Sequence, residues 1–106
     1  MNKYSDKSDL EINKAVAVAL GAYDVMDGIY IDENRRYDFS NPRSKFFFDP
    51  CNNPADAMSI VIENGISLIF QDGIFHFATY DGNFEFHGDN PYRAAMEVFL
   101  MMKDAQ

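Results

Sequence analysis

The feature that most constrains the fold is the stretch from Cys51 to Tyr80, where a helix pattern leads directly into a β-hairpin pattern. Asn53 is a favourable N-cap residue, Pro54 suits the first helical position, and Asp56 stands where a capping-box acid reaches back. Gly65 can adopt the left-handed conformation that ends a helix. The stretch therefore predicts one helix followed at once by antiparallel strands.

Two further helices are predicted at the ends of the chain. Ser8 and Glu11 form a capping-box pattern, and the helix that they start would end at Gly21. The step Asn90-Pro91 repeats the start signal of the central helix. The last helix is apolar on most sides, which indicates either burial between two layers or a subunit interface, so a homodimer stays open.

The steps Asp72-Gly73 and Asp81-Gly82 each predict a two-residue turn between strands. Such turns would give a three-stranded meander with the strands Ile66–Gln71, Ile74–Tyr80 and Asn83–His87. The predicted pairs are Phe70 with Phe75, Leu68 with Phe77, Thr79 with Phe84, and Phe77 with Phe86. The predicted core face is Ile66, Leu68, Phe70, Phe75, Phe77, Phe84 and Phe86.

In this register the opposite face carries polar and aromatic side chains. His76 would lie opposite His87, with Glu85 two residues along the same strand. Two imidazoles and a carboxylate can ligate zinc, but no fourth ligand is evident, so no metal site is predicted. The face instead suits contact with a partner through Tyr80, His76, Glu85 and His87, or contact with the strands of the first half of the chain.

Residues 22–50 are less regular. Gly28–Asp32 and Lys45–Asp49 have the composition of strands, and Arg36–Phe39 could pair between them. The fold class is therefore α+β: three helices with an antiparallel sheet made of the C-terminal meander plus one to three strands from residues 25–49. We expect a single domain over residues 1–106, with residues 1–7 disordered.

Composition narrows the function classes. The net charge of −8 disfavours direct binding to nucleic-acid phosphates, which requires clustered Lys and Arg. An acidic surface fits a basic protein partner or mimicry of nucleic acid, although solubility explains it equally well. No run approaches the roughly 18 apolar residues of a membrane span, and a single cysteine indicates a reducing cytoplasm.

No catalytic constellation is recognised. The chain has no phosphate-binding glycine-rich loop, no His-Glu-x-x-His pattern and no Gly-x-Ser-x-Gly elbow. Cys51 could be a nucleophile, but a cysteine just before a helix N-cap is more often a small buried residue. We predict no catalytic residue and no cofactor, and the sequence leans against an enzyme without excluding one.

Four segments carry a more specific pattern: residues 8–14, 51–58, 63–69 and 90–102. The block Cys51-Asn52-Asn53-Pro54-Ala55-Asp56-Ala57 is the most specific of them. Together the segments resemble the NinX-like family, small proteins encoded by lambdoid and related tailed phages and their prophages. The resemblance implies an accessory protein acting in the cytoplasm of an infected bacterium, and it brings no activity and no catalytic residues.

The leading hypothesis is a non-catalytic protein-binding module that modulates a host or phage protein, with no nucleic-acid or membrane partner. One alternative is an acidic nucleic-acid mimic that inhibits a DNA-binding host protein. Another is a small enzyme or metal protein that uses Cys51 or the face of His76 and His87. A structural role, chiefly in starting helices, is assigned to Cys51, Asn53, Pro54, Asp56, Asn90 and Pro91.

Overall fold

The computed structural model describes residues 3–26, 29–32 and 45–106. These residues form three helices and six strands, which confirms the α+β class. In chain order the elements are α1 (Asp9–Ala19), β1 (Ala22–Met26), β2 (Ile29–Asp32), β3 (Lys45–Phe47), α2 (Pro54–Asn64), β4 (Ser67–Gln71), β5 (Ile74–Tyr80), β6 (Phe84–His87) and α3 (Pro91–Asp104).

All three helices begin where the capping patterns predict. Ser8 and Glu11 form the complete capping box of α1. Asn53 accepts a hydrogen bond from the amide of Ala55, and Asn90 caps α3 in the same way, each with a proline at the next position. Gly65 ends α2 in the left-handed conformation, with φ of 66°.

The predicted role of Asp56 is wrong in one respect. Its carboxylate does not reach back to the start of α2 but accepts a hydrogen bond from the amide of Asp49 at 2.9 Å. The chain turns sharply between these two residues, and the carboxylate stabilises that turn. Asp56 therefore fixes the loop that enters the helix.

The strands of the first half form a sheet of their own, separate from the meander. It has the order β1-β2-β3 and is antiparallel throughout. The strands β2 and β3 correspond to the two predicted strands, whereas β1 was not predicted. The hypothesised strand Arg36–Phe39 lies outside the described residues.

The first hairpin of the meander contains a β-bulge that the turn signal did not reveal. Phe70 pairs with Phe75 as predicted, but the next pair joins Ile69 to Phe77 and leaves His76 as the extra residue. A bulge places two residues of one strand opposite one residue of the other. Beyond the bulge, side chains of β5 therefore point to the face opposite to the predicted one.

The second hairpin has a three-residue loop rather than a two-residue loop. Asp81 and Gly82 have φ angles of 51° and 73°, and the amide of Asn83 donates to the carbonyl of Tyr80. Tyr80 consequently pairs with Phe84, one residue beyond the predicted partner. The pairs that replace the predicted ones are Leu68 with Ala78, Thr79 with Glu85, Ala78 with Phe86, and Phe77 with His87.

These shifts correct the predicted faces of the meander. Phe77 was assigned to the core face but pairs with exposed His87, whereas Phe70 keeps its predicted partner Phe75 and is nevertheless 53% exposed at the end of the hairpin. Ala78 is completely buried, and Tyr80, which was predicted to contact a partner from the outer face, packs against the core.

Helix α3 lies between the meander and the other two helices, since it packs against β5, β6, α1 and α2. Every residue from Ala94 to Leu100 is buried. Its apolar character on most sides is therefore explained by burial between layers, the first of the two interpretations. Residues 3–7, predicted to be disordered, lie in a turn in which the Lys7 amide donates to the Tyr4 carbonyl.

Candidate functional site

A network of polar side chains joins the starts of α1 and α3 to the loop before α2. We call it the polar junction and define it by Asp9, Asn13, Asp49, Cys51, Asn52, Asn90, Arg93 and Glu97. Most of its members come from the segments that carry the family resemblance. Residues far apart in the sequence are thus brought to one place.

Two asparagines hold the backbone of Cys51 from both sides. Asn13 is buried, and its side chain makes both bonds. Its Nδ2 donates to Asp49 Oδ1 at 2.7 Å, and its Oδ1 accepts from the Cys51 backbone N–H at 3.1 Å. The amide of Asn90 donates to the Cys51 carbonyl at 2.6 Å while its oxygen caps α3. The backbone N–H and the backbone carbonyl of Cys51 are therefore both hydrogen-bonded within the protein.

Arg93 connects the junction to the N-terminal turn. Its guanidinium contacts Asp9 at 2.7 Å and Glu97 at 3.0 Å, and it also donates to the carbonyls of Tyr4 and Lys7. Burial opposes the charge of Arg93, but the hydrogen bonds to Asp9 and Glu97 outweigh it and raise its pKa. The hydrogen bond from Arg93 in turn lowers the pKa of Asp9.

Cys51 is fully buried inside this network. Burial raises the pKa of its thiol to about 12, and the nearby carboxylate of Asp9 acts in the same direction. The sulfur lies 3.8 Å from the Asp9 carbonyl oxygen, to which the thiol donates. Because the thiolate is the reactive form, this environment argues against Cys51 as a nucleophile at neutral pH.

The other prominent surface is the end of the β4–β5 hairpin. We call it the hairpin tip and define it by Ile69, Phe70, Asp72 and Ile74. Its three hydrophobic side chains are 37%, 53% and 65% exposed, respectively. The Phe70 ring packs edge-on against Phe75 with ring centroids 5.4 Å apart, so a neighbour from the core supports its position.

The sequence around the hairpin tip has only one sign of charge. Four acids and no Lys or Arg occur between residues 66 and 90. These acids are Asp72, Asp81, Glu85 and Asp89. The meander segment thus combines exposed apolar side chains with acidic residues and contributes no Lys or Arg of its own.

The structure divides the predicted interaction surface. Glu85 and His87 lie on the outer face, with His87 Nε2 at 4.0 Å from Glu85 Oε2 and the His87 ring 5.3 Å from the Phe77 ring. His76 is the exposed bulge residue and does not lie opposite His87, so that predicted pair is wrong. Tyr80 lies on the core face.

Metal chemistry gains no support from this arrangement. Within residues 3–26, 29–32 and 45–106, no group of three or more His, Cys, Asp or Glu side chains could hold a metal ion. The grouping of His76, His87 and Glu85 depended on the predicted register, which the bulge and the longer loop change. The predicted cross-strand grouping, which was the reason to consider zinc, is therefore not present in the structure.

Sequence reasoning missed two features of these surfaces. Arg93 and Glu97 stand four residues apart, the spacing of a helical ion pair, and this signal could have marked Arg93 as a central residue. The hairpin tip had no comparable signal, because the predicted register placed Phe70 in the core. Only the exposed fractions of its side chains reveal it.

Comparison with known proteins gives one family. The family model described as Bacteriophage P22, NinX matches residues 3–103. No curated protein and no solved structure matches the chain. In the part of the chain that the structure describes, no helix is long and apolar enough to cross a membrane.

Proposed function

Because the chain belongs to the NinX family of bacteriophage P22, we propose that this phage-encoded protein binds another protein in the host cytoplasm and modulates it without catalysis. The hairpin tip is the surface that we assign to binding. Family membership supports the phage origin, and the exposed apolar tip supports the binding role.

The observation that carries the proposal is the exposure of Ile69 and Ile74, which the strand pairing places on one face of the hairpin beside the Asp72 turn, with Phe70 exposed on the opposite face at the same end. Single exposed hydrophobic residues are common on protein surfaces, but adjacent ones that form a patch indicate a contact site. Strands joined by a tight turn hold such side chains in fixed positions, which limits the entropy lost on binding.

The polar junction is a poor alternative to the tip. Its amides, carboxylates and guanidinium are paired with one another, as the contacts of Asn13, Asn90 and Arg93 illustrate. A ligand would have to break these hydrogen bonds before it could form its own. We therefore assign the junction to folding and the hairpin tip to recognition.

The charge of the meander suggests the chemistry of the partner. Asp72 lies in the turn of the hairpin tip, and residues 66–90 contain no Lys or Arg, which favours a partner with basic residues around an apolar pocket. In this arrangement Ile69 and Ile74 would be the anchors on one face of the hairpin, and Asp72 would contribute to the association rate and to specificity.

The test is affinity capture from lysates of phage-infected host cells, at low and moderate salt, with mass spectrometry as the readout. The bait is the wild type, Ile74→Asp or Ile62→Asp. Ile62 is a matched control because it is 72% exposed on α2, compared with 65% for Ile74. Equal thermal melting temperatures would establish that all three proteins are folded.

We expect one stoichiometric protein with the wild type and with Ile62→Asp, and at least about a tenfold loss with Ile74→Asp, because the variant buries a charge in an apolar contact. The proposal fails if Ile74→Asp captures the same protein equally well. If Ile74→Asp captures as much protein as the wild type, and the captured amount falls strongly as salt rises, the result would instead favour a surface that binds through its charge, as a nucleic-acid mimic does.

A further inference from the structure

The strand β4 is an edge of the meander, because the sheet has the order β4-β5-β6. One side of β4 pairs with β5, and among the described residues no strand pairs with its other side. In an antiparallel ladder, alternate residues direct their N–H and C=O groups toward a given neighbouring strand. Alternate residues of Ser67–Gln71 therefore present unpaired backbone groups along the free side of β4, and such a row is a template for another strand.

β4 lacks the features that usually protect an edge strand, which are charged side chains, proline or a bulge within the strand. Its sequence is Ser-Leu-Ile-Phe-Gln, and every residue except Leu68 is exposed. The opposite edge of the sheet, β6, carries Glu85 and His87. The extra residue of the bulge, His76, belongs to β5, so the alternation of β4 itself is unbroken. The unprotected edge of the meander is therefore β4.

The exposed ring of Phe70 is a second observation that points to a missing neighbour at this edge. Phe70 stands two residues after Leu68 in β4, so both side chains lie on the face from which Leu68 packs against the core. Leu68 is half-buried there, whereas Phe70 is 53% exposed. Helix α3 packs mainly against β5 and β6, which leaves this part of the face uncovered. A strand added beside β4 would cover part of the Phe70 ring.

We propose that β4 pairs with β4 of a second copy of this chain, antiparallel and about a two-fold axis at Ile69. The two three-stranded meanders then form one six-stranded sheet. Residues directly opposite each other in an antiparallel pair lie on the same face. Leu68 of each copy therefore covers part of the Phe70 ring of the other. The opposed pairs are Ile69 with Ile69, Leu68 with Phe70, and Ser67 with Gln71.

The composition of β4 suits pairing with itself. Because none of its residues is charged, the two-fold arrangement brings no like charges opposite each other. Pairing of β4 with β6 of another copy would join two different edges, and such a contact continues into an open chain unless its geometry closes a ring. The two-fold contact is complete with two copies. Ile69 and Ile74 stand on a face of the sheet, so the dimer presents two hairpin tips and does not depend on the function proposed for them.

Sedimentation velocity of the purified full chain, without any partner protein, measures the association. A pair of five-residue strands is a small contact compared with a standard interface of roughly 1,600 Å². We therefore expect a reversible dimer with a dissociation constant on the order of 10 to 100 µM, measured over concentrations from about 1 µM to about 1 mM.

The diagnostic variants are Ile69→Lys and Ile69→Glu, because the two-fold axis places position 69 of each copy opposite itself. Either variant alone sets like charges against each other, whereas an equal mixture of the two sets lysine against glutamate. Val18→Lys and Val18→Glu are the matched control pair, since Val18 is 55% exposed on α1 and lies outside the meander. Equal thermal melting temperatures establish that all the variants are folded.

We expect the wild type and both Val18 variants to dimerise alike. Each Ile69 variant alone should dimerise about fivefold more weakly or less, since like charges then face each other across the strand pair. The equal mixture should regain association by a similar factor, as a dimer with one copy of each variant. Recovery on mixing separates the two-fold contact from a general loss of folding or of surface hydrophobicity.

A wild type that stays monomeric at about 1 mM would overturn the proposal and leave an extended segment of another protein as the occupant of the edge. A dimer that neither Ile69 variant weakens would also overturn it, because the contact would then lie elsewhere. A mixture that associates no better than the separate variants would exclude the pairing about Ile69. The capture experiment above tests the tip through Ile74 on β5, so either proposal can fail alone.

Discussion

The polar junction and the hairpin tip use polar and apolar side chains in opposite ways. In the junction, Arg93 and Asn13 are largely buried, and their polar groups are paired with residues distant in the sequence. At the tip, Phe70 and Ile74 are exposed and have a turn beside them. The junction joins parts of the fold, whereas the tip adds little to the core.

Because of this difference, we expect mutations in the two regions to have different effects on the stability of the fold. A change at a junction residue leaves a buried partner unpaired, which costs free energy of unfolding. A change at the tip alters a surface that water already contacts, and it should affect stability little. The segments around residues 8–14, 51–58 and 90–102 supply most residues of the polar junction and join one another through its hydrogen bonds.

Arg93→Met should give the largest loss of stability. The variant leaves Asp9 and Glu97 without their cation and leaves the carbonyls of Tyr4 and Lys7 without a donor. We expect the free energy of unfolding to fall by about 3 kcal/mol, measured by urea denaturation. Arg93→Lys should recover only part of it, because an ammonium group lacks the planar fork. A loss below about 1 kcal/mol would show that the junction is not a stability centre.

The two capping asparagines, Asn53 and Asn90, allow a matched comparison in which the expected losses of stability are smaller. Asn90 caps α3 and also binds the Cys51 carbonyl, whereas Asn53 caps α2 through the Ala55 amide. We expect Asn53→Ala to cost about 1 kcal/mol and Asn90→Ala about 2 kcal/mol, since the second variant also orphans a carbonyl. Thermal and urea unfolding measure both. Equal losses would mean that the bond to Cys51 contributes nothing.

The smallest expected effect is a pH dependence in the contribution of Asp9 to the free energy of unfolding. Its folded-state pKa lies below the ordinary value of 3.8 because Arg93 donates to it, so its contribution is complete above that value. The contribution disappears as pH falls through the folded-state pKa, because the unfolded chain takes up the proton more readily. Asp9→Asn should therefore be less stable than the wild type at neutral pH, and the gap should narrow in acid. A gap that stays constant between neutral pH and about pH 3 would contradict this assignment.

Helix boundaries could be predicted from the sequence because their signals are local. Ser8 and Glu11 act within one turn, and Asn53 and Asn90 bind amides two or three residues away. Gly65 adopts a conformation that depends on its own lack of a side chain. None of these interactions requires knowledge of the tertiary fold.

Strand faces could not be predicted in the same way, because one extra residue reverses them. The bulge at His76 and the third loop residue Asn83 each change the register by one position. As a result Phe77 leaves the core face and Tyr80 joins it. A turn signal such as Asp81-Gly82 locates a hairpin without fixing its loop length.

The polar junction as a whole could not be predicted from the sequence either, since most of its contacts join residues more than thirty positions apart. Arg93 and Asp9 are separated by 84 positions, and Asn13 and Cys51 by 38. The sequence identified Cys51 and Asn90 through local patterns, but only the fold shows that one binds the other.

The most direct test of the assignment of recognition to the hairpin tip is site-specific photocrosslinking in infected cells. A benzophenone amino acid replaces Phe70 or Ile74 at the tip, or Phe47 and Ile62 as exposed controls elsewhere. The account predicts that one protein is crosslinked from positions 70 and 74 and not from positions 47 and 62. Crosslinking of the same protein from positions 47 or 62, with none from 70 and 74, would contradict it.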